Sequence, residues 1–161
     1  MRFLVPALAL AAAAPPAEAA QVLFAGGSWA AIDFGRRCEA RSRALSAKRD
    51  TEPVAGFAFD RGGGRQGQFY VRLSRPARPG ASVIASIGSE PFLLIGKGQW
   101  AWSKAGQQQR AMLDAARYSG GMRVESRDQS GRRIVDRYLL AGAATAIDAA
   151  AAACAQPSKS P

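Results

Sequence analysis

The chain contains no histidine and only two cysteines among its 161 residues. Lysine is scarce as well: of 22 basic residues, only Lys48, Lys97, Lys104 and Lys159 are lysines, and the rest are arginine. Without histidine, Ser-His-Asp and Cys-His nucleophilic catalysis is excluded, and so is every histidine-containing metal site. Two cysteines cannot build a structural zinc site by themselves. Acidic residues number 12, which leaves a formal net charge of +10. The longest apolar run, Phe3 to Ala14, falls short of the roughly 20 residues needed to cross a bilayer. No later stretch reaches that length, so the mature product is expected to be soluble.

What is present at the N-terminus has the layout of a cleaved leader. Arg2 supplies a basic start, Phe3 to Ala14 an apolar stretch, and Pro15-Pro16 a break. Ala17-Glu18-Ala19 then places small residues where a signal peptidase reads them. The expectation is a signal peptide over 1–19, with cleavage after Ala19 or, alternatively, after Ala20. No cysteine stands at the cleavage point, which argues against a lipid-anchored lipoprotein. The remaining chain is of ordinary single-domain size, expected as one domain over 20–155 followed by a polar, disordered tail over 156–161.

Export gives the two cysteines their meaning. In an oxidising compartment a pair is read as a bridge before a metal site or a free nucleophile. A Cys38–Cys154 bond would tie the first and last elements of the domain. The chain-entropy model assigns so long a loop roughly 5 kcal/mol, as an upper figure.

Turn residues and alternation divide the domain into short strands. Val22 to Ile32 reads as one or two strands broken at Gly26-Gly27. The polar segment from Arg36 to Glu52 reads as a loop around Cys38. Val54 to Asp60, then Phe69 to Leu73, and Val83 to Ile87 follow as strands with a period of two. Phe92 to Ile95 is a continuous apolar strand leading into Trp100 and Trp102. Gln107 to Ser119 is a helix stopped by Gly120-Gly121. Met122 to Ser126 and Ile134 to Leu140 form a hairpin around Asp128 to Gly131. Ala143 to Ala155 is a terminal helix of the strongest helix former. Ile147, Ala150, Ala151 and Cys154 share one stripe of it, which aims Cys154 inward. The fold class expected is mainly β: an antiparallel β-sandwich of about seven or eight strands with one internal and one C-terminal short helix.

Chemical motifs are few. Gly62-Gly63-Gly64 and Gly96-Lys97-Gly98 lack the spacing of a phosphate loop and read as turns. Ser103 and Lys104 are adjacent, so on a strand they point apart and make no catalytic pair. Glu125, Asp128 and Asp136 could face one another across the hairpin as acid and base, although pairing with Arg123, Arg127 and Arg137 is the simpler reading. Trp100 and Trp102 share a face if they lie on a strand. They could line a partner surface or stack on a sugar, but core packing is favoured for them and for Trp29. Arg36-Arg37 and Arg132-Arg133 are adjacent basic pairs among otherwise scattered charges. The basic balance suits an anionic partner such as an envelope component, with nucleic acid disfavoured for an exported chain.

A run of segments resembles the invasion-associated locus B family. It begins with Ser82-Val-Ile-Ala-Ser-Ile-Gly88 and Pro91-Phe-Leu-Leu-Ile-Gly-Lys-Gly-Gln-Trp-Ala-Trp102. Ala111 to Val124 is similar to that family's helix-then-strand, Ser130-Gly-Arg132 with Asp136 to Gly142 to its hairpin, and the alanine helix ending in Cys154 to its close. The similarity covers about residues 70 to 154. The Arg132-Arg133 pair and Tyr138-Leu-Leu140 depart from the family's usual threonine and phenylalanine there. The resemblance implies an exported, disulfide-bearing β-sandwich of Gram-negative bacteria, located in the periplasm or outer envelope, without catalytic residues or cofactors to carry over.

Two functional classes follow. One is a non-enzymatic envelope-associated protein that binds an unknown protein or anionic envelope component, with Trp100, Trp102, Arg132 and Arg133 as its candidate surface. The other is a hydrolase of envelope polymers working through two of Glu125, Asp128 and Asp136. The leader makes its own prediction: secreted from a Gram-negative host, the intact protein should begin at Ala20 or Gln21 by mass spectrometry, and a retained Met1 would refute the leader.

Overall fold

The computed structural model describes residues 20–45 and 52–157. The expected leader over 1–19 lies outside the described residues, as do 46–51 and 158–161. Ten strands and two helices succeed one another as β1 Gln21–Gly26, β2 Trp29–Asp33, β3 Arg37–Arg43, β4 Val54–Asp60, β5 Gln66–Arg72, β6 Val83–Ile87, β7 Glu90–Lys97, β8 Trp100–Trp102, α1 Gln107–Tyr118, β9 Gly121–Arg127, β10 Arg133–Leu139 and α2 Ala143–Ala155.

All the strand pairs are antiparallel, and they join one sheet in the order β1-β2-β3-β4-β5-β8-β7-β6-β9-β10. The fold is therefore mainly β, as expected, but it has ten strands rather than seven or eight. Those strands hydrogen-bond continuously instead of forming the two separate sheets of a sandwich. The join is β7: its first part, Glu90 to Leu94, pairs with β6, and its last part, Ile95 to Lys97, pairs with β8.

Two local expectations are corrected. The stretch from Arg36, expected as a loop, contains β3, because Cys38, Ala40 and Ser42 alternate inward between charged neighbours. Charge on the alternate positions hid the period of two. Helix α1 ends at Ser119, in extended conformation, with its N–H bonded to the Ala115 carbonyl; Gly121 already opens β9 and supplies no left-handed cap. At the C-terminus the Gln156 carbonyl accepts from Arg61 at 2.7 Å.

One core joins the inner faces of the strands to both helices. At its centre Trp29 stacks on Phe57, with ring centroids 6.1 Å apart, and Phe57 meets Phe69 edge-on at 5.4 Å. Helix α2 packs on β1 to β4 through Ala143, Ala146, Ile147, Ala150 and Cys154, the stripe that alanine spacing prescribes. Small alanine side chains let helix and sheet approach closely, which brings the Cα atoms of Cys38 and Cys154 to 5.8 Å in a disulfide. Arg61 seals the same corner. Its guanidinium bonds to the carbonyls of Gly35 and Ala153, both at 2.5 Å, and to the carboxylate of Asp33.

The sheet also curls far enough to protect its last edge. Outward carbonyls of β10 and of Ala141, two residues beyond it, accept from distant donors: Arg137 from Leu45 N–H at 2.8 Å, Leu139 from the Trp29 indole at 2.8 Å, and Ala141 from Ser28 N–H at 2.9 Å. Glycine is required where the edges meet. A Cβ on Gly27, whose φ is +59°, would stand 2.2 Å from the Ala141 carbonyl oxygen.

The disulfide closes a separation of 116 residues. Cys154→Ser should therefore cost up to about 5 kcal/mol in denaturant unfolding. Adding Cys38→Ser should cost little more. Equal stability of the single variant and the native protein would show that packing alone holds α2.

Candidate docking face

Alternation gives every strand an outer side as well as an inner one, and the outer side carries the exposed chemistry. On β7, Phe92 and Leu94 are buried, while Leu93 and Ile95 point outward, 51% and 43% exposed. The strand that reads as continuously apolar is thus half in the core and half on the surface. Its neighbours extend the outer row. Ile84 of β6, 38% exposed, is the register partner of Leu93; Trp102 of β8 is the partner of Ile95. Trp100, 45% exposed, lies two residues from Trp102 on the same face. Together Ile84, Leu93, Ile95, Trp102 and Trp100 form a diagonal apolar stripe over three adjacent strands.

The tryptophans depart from the favoured core reading in an instructive way. Trp29 is indeed buried at 2% and donates its indole N–H to Leu139. Trp100 and Trp102 do share a face, but it is the outer one, because Ala101 and Ser103 take the inward positions. Ser103 Oγ accepts from Phe69 N–H at 3.1 Å, and Lys104 is exposed, so this pair is split. Beside Trp100 lies Tyr70, ring centroids 6.4 Å apart, whose hydroxyl donates to Glu39 at 2.8 Å. Glu39 is buried although it faces outward, and Arg37 at 2.9 Å and Arg41 at 3.8 Å neutralise it.

Cations edge the stripe. Trp100 has Arg72 and Lys97 as its two register partners. At the far end, Ile84 forms part of a shallow cavity of about 470 Å³, lined also by Arg78, Arg127, Arg133 and Glu125. Glu125 is flanked by Arg133 at 2.6 Å and Arg123 at 2.9 Å. The hydrogen bond from Arg133, reinforced by both positive charges, holds its carboxyl below the ordinary range. The cavity thus presents three guanidiniums against one carboxylate. A larger hollow of about 670 Å³ lies over the β1–β2 hairpin, but the charged residues in its described lining, Arg41 and Arg43, are engaged by Glu39 and Glu52.

The candidate surface of Trp100, Trp102, Arg132 and Arg133 is only partly brought together. Strands β7, β6 and β9 separate the tryptophans from β10, on the order of 20 Å along the sheet. Arg133 lines the cavity at one end of the stripe. Arg132 instead turns to Asp128 in the hairpin, at 3.1 Å. Cys38 and Cys154 are structural, joined in the disulfide.

The three carboxylates do not converge. Glu125 is on the outer face, while Asp136 is buried on the inner one and accepts from Ser74 N–H at 2.9 Å. Asp128 sits in the turn. Burial pushes its carboxyl up, but the Ser130 hydroxyl, the Arg132 N–H and the charges of Arg132 and Arg75 outweigh that and leave it below the ordinary value. Each acid is tied to its own partners, so the acid–base pair needed for the hydrolase reading is not assembled.

Ile84, Leu93, Ile95 and Arg78 carry no functional expectation from the sequence, and Arg127 is expected there only as a partner of the carboxylates. The available signal was the side-chain alternation of β7 combined with its register to β6 and β8. Among the described residues no helix is long and apolar enough to cross a membrane, which leaves strands aside. No family model, curated protein or solved structure matches the chain.

Two phenols give the fold a testable pH response. Burial first, and the neighbouring Glu39 charge second, raise Tyr70 far above the usual phenol; burial and Asp136 do the same for Tyr138, whose hydroxyl has no partner among the described residues. The unfolded phenols lose their protons near pH 10, while the folded ones keep theirs. Stability is therefore unaffected by these groups below about pH 10 and falls as pH rises beyond it. Combining Tyr70→Phe with Tyr138→Phe should flatten that alkaline decline in denaturant melts. An unchanged slope would refute the assignment.

Proposed function

We propose that this protein is an exported, non-enzymatic component of a Gram-negative envelope that binds a partner through the outer face of its sheet. The observation that carries this reading is the Ile84–Leu93–Ile95–Trp102–Trp100 stripe, exposed except at the half-buried Trp102, with arginine and lysine at its margins. Isolated apolar side chains on a surface are ordinary, but a contiguous row with an aromatic end and a polar rim marks a contact site. The leader composition supports export, and a disulfide is at home in an oxidising compartment. The resemblance to the invasion-associated locus B family points the same way, to periplasm or outer envelope. A hydrolase is the weaker reading, since Glu125, Asp128 and Asp136 are dispersed.

The reading is tested by sedimenting envelopes from cells that secrete the full chain. The native protein should stay with the envelope fraction when salt is raised, because apolar contact is not screened. Combining Leu93→Ser with Trp100→Ser should move it to the soluble fraction with its fold intact. Release of the native protein by salt alone would overturn the proposal.

A further inference from the structure

The arginine cavity and the apolar stripe meet at Ile84, which belongs to both. That junction narrows the chemistry of the partner. A soluble anion could use the guanidiniums but would leave the stripe wet. A neutral apolar ligand could use the stripe but would leave three arginines beside it with nothing to neutralise them beyond Glu125. An amphiphile whose anionic group adjoins hydrocarbon satisfies both at once.

From this juxtaposition we infer that the outer face docks on a lipid surface bearing anionic phosphate headgroups, with the phosphates at Arg78, Arg127 and Arg133 and the stripe against the outer hydrocarbon. The inference rests on the envelope-binding reading and names the partner of that same face. Several features of the face fit it. Among the described residues Arg78 is exposed and forms no ion pair, and Arg127 donates to the Gly131 carbonyl at 2.9 Å without an ion pair, so both retain charge for a ligand, while Arg133 is shared with Glu125 at 2.6 Å. At the other end, Trp100 lies between Arg72 and Lys97. An indole with flanking cations is the arrangement favoured at a bilayer interface, where the ring lies among the headgroups and the long basic side chains reach phosphate. The stripe also sits on the outside of a sheet that curls around its core, with β10 bonded back to Trp29 at the start of β2 and to Leu45 beyond β3. Such a face cannot wrap a small solute but can lie against an extended plane.

The net charge supports the same choice. With a formal charge of +10, the whole molecule is drawn toward an anionic surface before any specific contact forms. Diffuse attraction of that kind is removed by salt, whereas docking of the stripe is not. The two contributions can therefore be separated.

The test uses the mature, disulfide-bonded protein and co-sedimentation with two kinds of vesicle, pure phosphatidylcholine and phosphatidylcholine with one-third phosphatidylglycerol. Binding is expected to the anionic vesicles only, with a remnant that persists in high salt. Removing two cationic contacts in Arg78→Gln with Arg127→Gln should weaken binding roughly thirtyfold. Leu93→Ser with Ile95→Ser leaves the charge unchanged and should also weaken it roughly thirtyfold. Arg78→Lys with Arg127→Lys should keep most of the affinity, which guards against a trivial loss of structure, and circular dichroism should be native for every variant. Failure to bind anionic vesicles would overturn the inference, as would binding that ignores the Leu93/Ile95 substitutions. If vesicles are not bound but the envelope fraction still retains the protein in a stripe-dependent manner, the partner is an acidic protein: the lipid assignment falls and the docking face stands.

Discussion

The attachment of α2 to the sheet is the constraint on which the rest of the molecule depends. The inner faces of β1 to β4 would be open to water without that helix, and its alanine stripe is too small-featured to grip by shape alone. Cys38–Cys154 and the Arg61 guanidinium supply the missing specificity at one end of the helix. Between them they hold the helix terminus, the Asp33 carboxylate and the Gly35 carbonyl in one corner. At the other end, Gly142 sits against the Gly26 carbonyl, so the β1–β2 hairpin and the start of α2 close on each other. With α2 in place, the curl of the sheet is set, and the last strand finds donors for its exposed edge. An unpaired edge of that kind invites association with other chains. Here donors from Ser28, Trp29 and Leu45 occupy it.

The same curl separates the two sides of the sheet by purpose. Inward, Trp29 stacks on Phe57 and Phe57 meets Phe69 edge-on in a buried core. Outward, charge is dense but mostly neutralised in short local networks: Glu39 with Arg37, Arg41 and Tyr70, Asp60 with Arg65, Asp128 with Arg75 and Arg132. The hydrogen bond from Arg65 leads in holding the Asp60 carboxyl below its usual value. Against this background the stripe from Ile84 to Trp100 stands out. It is apolar where its surroundings are polar; at its margin Arg133 is shared with Glu125, while Arg78 and Arg127 form no ion pair among the described residues. That composition is the basis of the proposed docking on an anionic amphiphilic surface.

Much of the architecture was legible in the residues. The terminal helix, its inward stripe and the bridge through Cys154 follow from alanine spacing and from two cysteines having no alternative partner. The hairpin around Asp128 to Gly131 follows from alternation on both sides of a turn. Strand β3 was not legible, since Arg37, Glu39, Arg41 and Arg43 give the segment the polarity of a loop while the inward Cys38, Ala40 and Ser42 are small. The docking face was less legible still. Phe92 to Ile95 has four apolar residues in a row, and local hydrophobicity cannot say which two face water.

The sequence by itself determined the antiparallel β character, the two helices and the one disulfide, because turn chemistry, helix propensity and cysteine pairing act over short range or leave a single choice. Only the tertiary structure decided that ten strands form one curled sheet and that Trp100, Trp102, Leu93, Ile95 and Ile84 share its outer side. Those outcomes depend on strand order and register, β8 beside β5 and β7, and β6 beside β9, which couple residues far apart in the chain. The pleat then fixes which side each residue takes, and a shift of one residue would exchange the stripe with the core.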